Sequence, residues 1–168
     1  MSKVVTIVGG HGKVHPLSLS CTINPSPNIL SPSQISLRLA HLLKSKAKVT
    51  SIIRTEDQIP DITDASATPL ILSLEDDPVD KFTAAFEGSD IVVFSAGAGG
   101  KGGPERTKAV DYEGALKVYD AIEGVKGEKP RLLLISAIDV RNPDIVPDYY
   151  VRPSSHPLGL SLSLLILL

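Results

Sequence analysis

Apolar residues along the chain fall into short continuous runs separated by stretches with helical spacing. Val4 to Val8 is a β-branched run ending at Gly9-Gly10, which predicts a buried strand and a tight turn. "ISLRLAHLLKS", from Ile35 to Ser45, sets Ile35, Leu39, Leu42 and Leu43 on one helical face. Lys48–Thr55 and Thr68–Leu74 read as a second and a third strand. Asp77–Gly88 reads as a helix with Val79, Phe82 and Phe86 at helical spacing and Gly88 as its stop. A fourth strand opens at Asp90 and runs into a second glycine loop ending at Gly100. Glu105–Gly124 has the pattern of a long amphipathic helix, and Arg131–Ile138 that of a fifth strand. Strands that are apolar nearly throughout, with helices between them, predict a parallel sheet covered on both faces. The expected class is α/β, a doubly wound parallel sheet of about five strands.

Two segments interrupt this order. Val14–Gln34 holds four prolines in 21 residues and has no periodicity. From Val151 onward, "VRPSSHPLGLSLSLLILL" stops resembling an α/β continuation. Structureless loops longer than about 12–15 residues are uncommon inside compact domains. If Val14–Gln34 is removed, "VVTIVGGHGK" joins "ISLRLAHLLKS", and Gly9, Gly12 and Ser36 fall at G-x-x-G-x-x-S spacing between strand and helix. In such a turn the first small residue permits the bend and the second lets backbone approach a pyrophosphate. The third allows close helix–strand packing, and the helix N-terminal amides then face the phosphates.

Five stretches, "VGGHGK", "SIIRT", "DIVVFSAGAGG", "VDYEGALKVYDA" and "RLLLISAI", occur in an order that resembles the atypical short-chain dehydrogenase/reductase family of NAD(P)-binding Rossmann proteins. The likeness covers Lys3 to Pro147 apart from the interruption, and is greatest to small single-domain members, the NAD(P)H-flavin-reductase-like proteins and NADP sensors. It implies that Gly9, Gly10, Gly12 and Lys13 form the phosphate turn. Arg54 then stands where the adenosine ribose is read, and an Arg suits a 2′-phosphate where a carboxylate would take the 2′-hydroxyl; a surface Arg capping the strand is the alternative. The implied cofactor is NADP, with NAD possible. Leu74–Asp76 follows the third strand, where the family contacts adenine, but no single residue takes that role. Ala96 and Gly97 match the small-residue turn beside the nicotinamide ribose, with a flexible Gly-rich loop through Gly103 as the alternative.

Catalytic residues are less well marked. The family's reductases pair a Ser after the fifth strand with a Tyr-x-x-x-Lys helix, the Lys lowering the Tyr pKa. Ser136 occupies the first place, and a plain strand-end hydroxyl is the alternative for it. None of Tyr112, Tyr119, Tyr149 or Tyr150 has Lys four residues later. His11, inside the glycine turn, reads as a solvent-facing loop residue and His41 as a helix-face histidine. His15 and His156 lie in the two anomalous segments, and no histidine has a partner at metal-ligand spacing.

Composition adds exclusions. A net charge of −2 with scattered Lys and Arg offers no electrostatic case for nucleic acid. Cys21 is the single cysteine, so no internal disulfide and no CxxC pair can form. The start, "MSKVVTIVGG", does not fit a secretory signal. "LGLSLSLLILL" is 11 residues long, short of the roughly 20 that a membrane-spanning helix needs. The expected partners are a dinucleotide and a small-molecule substrate, and the expected compartment is cytoplasmic; the oligomeric state is left open.

The domain expectation is therefore a Rossmann-like unit over residues 1–150 with an irregular insert at 14–34, followed by a non-family apolar tail at 151–168. A translated intron would account for the insert, and a genuine lineage-specific loop is the alternative. Val codons begin with GT, Gln34 can be CAG, and Pro27-Asn28 can contain CTAAC, the branch-point sequence. Twenty-one codons make 63 in-frame nucleotides, a length found among short fungal introns. Val151-Arg152 could supply a second donor, leaving the C-terminal side of the sheet incomplete and the fifth strand an apolar edge. Spliced transcripts that retain the segment would refute this. The function expected of the intact form is hydride transfer to a small carbonyl, flavin or similar acceptor, impaired here. The alternatives are a non-catalytic NADP(H) sensor and an inactive mis-spliced product.

Overall fold

The computed structural model describes residues 2–11, 35–98 and 103–135. Five strands form one sheet: β1 (Lys3–Val8), β2 (Ala47–Ile53), β3 (Thr68–Ile71), β4 (Ile91–Phe94) and β5 (Arg131–Leu134). Their order is β3-β2-β1-β4-β5, and every pairing is parallel. The helices are α1 (Ile35–Leu43), α2 (Ile59–Asp64), α3 (Val79–Phe86), α4 (Gly103–Thr107) and α5 (Gly114–Gly124). A short 3-10 turn, Glu56–Gln58, leads into α2. The expected doubly wound α/β sheet is therefore present, with the Rossmann-like strand order.

Strand alternation divides the core in two. Val8, Ile52, Val92 and Phe94 face one side, with Phe82 and Phe86 of α3 and Val118, Ala121 and Ile122 of α5. Val5, Ile7, Val49, Ile53 and Val93 face the other, with Ala40 of α1 and Ile62 of α2. Phe82 and Phe86 are fully buried, with ring centroids 6.3 Å apart and planes at 54°. Burial of a Phe side chain is worth about 1.5–3 kcal/mol over exposure, so these two rings anchor α3.

The predicted apolar face of α1 is corrected. Ser36 and Ala40 are its buried residues, while Ile35 is 50% and Leu42 61% exposed. Small side chains let the helix lie close to the sheet, and the larger ones, Leu37, Leu39 and Leu43, pack at its margins. The long helix read from Glu105 is also interrupted. Lys108–Glu113 forms a π-helical segment between α4 and α5. The turn and helix at 56–64 had no counterpart in the sequence pattern, because six helical residues are too few to show a period.

Parallel strands bring their C-terminal ends to one edge. Val8 lies opposite both Ile52 and Phe94. The chain leaves β1 for β2 on one side and enters β4 on the other. In open α/β sheets the crevice outside such a reversal is where ligands bind.

Candidate functional site

The turn after β1 is built on glycine for reasons visible in its contacts. Gly9 has φ +82°, and a Cβ there would meet the Ala96 Cα at 2.5 Å and its N at 2.6 Å. Gly10 is as confined on its other side, where a Cβ would stand 2.7 Å from the Ser51 Cβ. Both amides are directed at β2: the Gly9 N–H donates to the Ile52 carbonyl at 3.2 Å and that of Gly10 at 2.8 Å. These glycines thus shape the turn, and amides for an anion must come from residues beyond Gly10.

Ser36 closes the turn from the helix side. Its Oγ–H donates to the Gly9 carbonyl at 3.0 Å, and its Oγ lies 2.6 Å from the Ser95 Oγ. Ser95 donates from its amide to the Val8 carbonyl at 2.9 Å, and its one hydroxyl hydrogen is shared between the Ser36 Oγ and the same carbonyl, 3.1 Å away. A pair of serines therefore ties the ends of β1 and β4 to the first turn of α1. The third small residue of the reconstructed motif stands where close helix packing requires it.

Beside this turn is an open cleft of about 220 Å³ whose lining includes Gly9, His11, Arg54, Glu75, Ala96 and Arg106. Of the residues singled out from sequence, Gly9, Arg54, Ala96 and Gly97 all line it. Gly10 is not among the lining residues. Gly12, Lys13 and Ser136 lie outside the described residues, as do the segments 14–34 and 151–168.

Arg54 follows β2 directly; its amide donates to the Gln58 Oε1 at 3.1 Å, and its Nη1 is 3.8 Å from the Glu75 Oε2. Glu75 in turn faces Arg106 of α4, whose Nε is 3.5 Å from Oε1. Leu72, Leu74 and Val110 supply an apolar wall to the same cleft. The loop bearing Glu75 is held by Lys117 of α5, which donates to the Leu74 carbonyl and, at 2.8 Å, to the Asp77 carbonyl.

Asp111, on the π-helical segment, accepts the Ala98 N–H at 2.8 Å, and a Cβ on Gly97 would stand 3.2 Å from the same oxygen. Burial pushes its carboxyl above the ordinary value, and the Ala98 N–H partly offsets that. Single-turn π segments inside helices often mark functional positions. Here the segment aims a carboxylate at the loop after β4.

His11 is a second correction. Its side chain is only 4% exposed, and its Nε2 is bonded to Asp61 Oδ2 of α2. Among the described residues its Nδ1 has no hydrogen-bond partner. A residue in a glycine turn reads as solvent-facing from sequence alone; the partner that buries it comes from a helix that the pattern did not show. Arg106 and Asp111 were likewise missed as site residues, and Glu75 fell inside the Leu74–Asp76 stretch without being singled out. Asp111 had the one usable signal, a carboxylate beside Val110 and one turn before Gly114, on the inward face of a helix.

Among the described residues no three His, Cys, Asp or Glu side chains gather as a metal site, and no helix is long and apolar enough to cross a membrane.

Comparison with known proteins adds to the geometry. A family model described as NAD(P)H-binding matches residues 33–156. The chain is 39% identical over 152 residues to a UPF0659 protein of Schizosaccharomyces pombe, covering 88% of this chain and 51% of that one. It is 33% identical over 113 residues to a protein of Bacillus subtilis named as an uncharacterised sugar epimerase, covering 65% and 50%. The chain thus spans about half the length of the curated relatives it matches. Among solved structures, it superposes on a putative NAD-dependent epimerase/dehydratase from Bacillus halodurans with a TM-score of 0.63. That alignment has 28% identity and covers 86% of this chain and 56% of the other.

Proposed function

This chain belongs to the NAD(P)H-binding family, and from that premise we propose that it takes NADP in the cleft between the ends of β1 and β4 and serves hydride transfer to a small acceptor. The observation that carries the reading is the closeness of Gly9 to Ala96, where a Cβ would stand 2.5 Å from the Ala96 Cα. That closeness leaves backbone alone at the crevice where a dinucleotide crosses such a sheet. The apolar wall of Leu72, Leu74 and Val110 suits an adenine, and Arg54 beside it suits a 2′-phosphate.

In this arrangement Gly9 and Gly10 shape the turn, with Gly12 and Lys13 extending it toward the phosphates. Ala96 and Gly97 keep side-chain bulk away from the nicotinamide ribose, and Asp111 holds the backbone of their loop. The bound nicotinamide supplies the hydride chemistry. Ser136 is the candidate hydroxyl after β5. The acceptor is a small carbonyl, flavin or similar compound. The name of the Bacillus subtilis relative supports a second reading, in which a sugar is oxidised and reduced again at one centre.

In this reading the domain is residues 1–150 with an insert in the family turn at 14–34, and the sequence of 151–168 does not continue the family pattern. The test is titration of NADPH, with NADH as control, against this chain and a version lacking 14–34. Tighter binding of NADPH by the shortened version is expected, because the glycine turn then leads into α1, already seated against Gly9, without an intervening segment beside the phosphates. A shortened chain that unfolds cooperatively yet binds neither dinucleotide would overturn the reading. NADPH oxidation with a panel of quinones, aldehydes, flavins and sugars then assigns the acceptor class.

A further inference from the structure

Three charged side chains from three separate elements meet at one rim of the cleft. Arg54 follows β2, Glu75 follows β3, and Arg106 belongs to α4, yet each of the two carboxylate oxygens faces a different guanidinium, at 3.8 and 3.5 Å. Neither contact is the close bidentate pairing, at about 2.7–2.9 Å, that Arg and a carboxylate make at their strongest. The side chains are 54%, 32% and 30% exposed for Arg54, Glu75 and Arg106. Loose, solvent-reached pairs of this kind contribute little. Among the described residues, most of the guanidinium donors are left for another anion.

We infer that Arg106 and Arg54 grip the 2′-phosphate of NADP from two sides, and that Glu75 is the resident anion which this phosphate displaces. The inference rests on the dinucleotide reading above and goes beyond it, since it makes Arg106 and Glu75 the residues that set the choice between NADP and NAD. The charges decide the direction. Two guanidiniums and one carboxylate leave a formal charge of +1 at the rim. A phosphate monoester carries about −1.5 to −2 near neutral pH, and it gains two cationic partners while being repelled by Glu75. A bare 2′-hydroxyl needs no cation, and it can donate to a carboxylate. Glu75 therefore favours NAD, Arg106 favours NADP, and the balance between them sets a site of mixed preference.

The experiment measures binding of NADPH, NADH and adenosine 2′,5′-bisphosphate to the full chain and to its Arg106→Gln and Glu75→Gln variants, with a thermal transition recorded for each. Arg106→Gln is expected to weaken NADPH and the bisphosphate about three- to tenfold while leaving NADH unchanged. Glu75→Gln is expected to do the opposite, tightening NADPH and weakening NADH. Both side chains are partly exposed, so both variants should fold, and either one alone tests the claim. If the variants change NADPH and NADH equally, or change neither, the two-sided grip is wrong although the dinucleotide site stands. If the folded wild-type chain, with and without residues 14–34, binds no dinucleotide, the functional reading itself falls.

Discussion

The hydroxyl of Ser36 donates to the carbonyl of Gly9 at 3.0 Å, across 27 positions of sequence. That contact joins the first turn of α1 to the turn after β1, and the 2.6 Å approach to Ser95 extends it to β4. The residue is buried at a place where helix and sheet are close, so its size matters more than its polarity. Ser36→Ala should cost about 1 kcal/mol, the worth of an ordinary hydrogen bond. Ser36→Leu should cost about 1–3 kcal/mol or more, because added methylenes force the helix off the sheet. Urea denaturation of both variants checks the ranking, and a leucine variant as stable as wild type would show that the close approach is not required.

That contact also shows why part of the site was legible. Glycines at 9 and 10, a serine after the interruption and small residues at 96 and 97 stand where neighbouring atoms come close, the Ala96 backbone at Gly9 and the Ser51 and Asp111 side chains at Gly10 and Gly97, and one sequence can reveal that demand for small residues. The strands were legible as short apolar runs between helical patterns, and β1 and β4 most clearly, since their β-branched runs lead into glycine turns. The buried face of α1 was not, since Ser36 and Ala40 go inward for their small size while Ile35 and Leu42 stay outside. The π-helical segment was hidden by a pattern that reads as one continuous helix. Arg54, Glu75 and Arg106 lie on three elements, and only the sheet order brings them together.

Gly9 and Gly88 provide a matched comparison. Both have positive φ, +82° and +74°, but a Cβ at Gly9 would collide with Ala96 whereas one at Gly88 would meet nothing within 4 Å. Gly88→Ala should therefore lose about 1–2 kcal/mol, the cost of a left-handed non-glycine residue, and should leave NADPH binding intact. Gly9→Ala adds a backbone clash to the same penalty, so it should lower the melting temperature further and abolish binding. Equal effects of the two substitutions would mean that the contact with Ala96 is relieved at no cost.

Acid should weaken the fold through two carboxylates. Lys3 and the Val4 N–H hold the Asp90 carboxyl below its ordinary value of 3.8. Lys81 and the Ser73 N–H do the same for Asp77. In each case the unfolded chain takes up the proton first. The stabilisation is fully present above pH 3.8 and is lost as pH falls from there through the depressed folded value. Asp90→Asn and Asp77→Asn should each flatten the decline in stability below about pH 4, as followed by urea midpoints across that range. A decline as steep as that of wild type would assign acid sensitivity to other groups.

Asp111 has the opposite sign. Burial raises its carboxyl above 3.8, against the smaller effect of the Ala98 N–H. The folded chain therefore holds this proton more firmly than the unfolded one. Stability from this group is greatest in acid and declines as pH rises from 3.8 through the raised folded value. Asp111→Asn keeps an oxygen for the Ala98 N–H and removes the buried charge, so it should be more stable than wild type at neutral pH. The gain should vanish below pH 3.8, where both forms are neutral. Asp111→Ala, which leaves the Ala98 N–H without its acceptor, should lose about 1–3 kcal/mol in acid, and the deficit should narrow as pH rises, because this variant too is free of the buried charge. A carboxylate that costs stability where an amide would not is a candidate for a functional role. Its place against Gly97 and Ala98 puts that role at the nicotinamide end of the proposed site. If Asp111→Asn gains stability but loses NADPH affinity, the charge serves the cofactor. If it gains stability with affinity unchanged, Asp111 only fastens the loop.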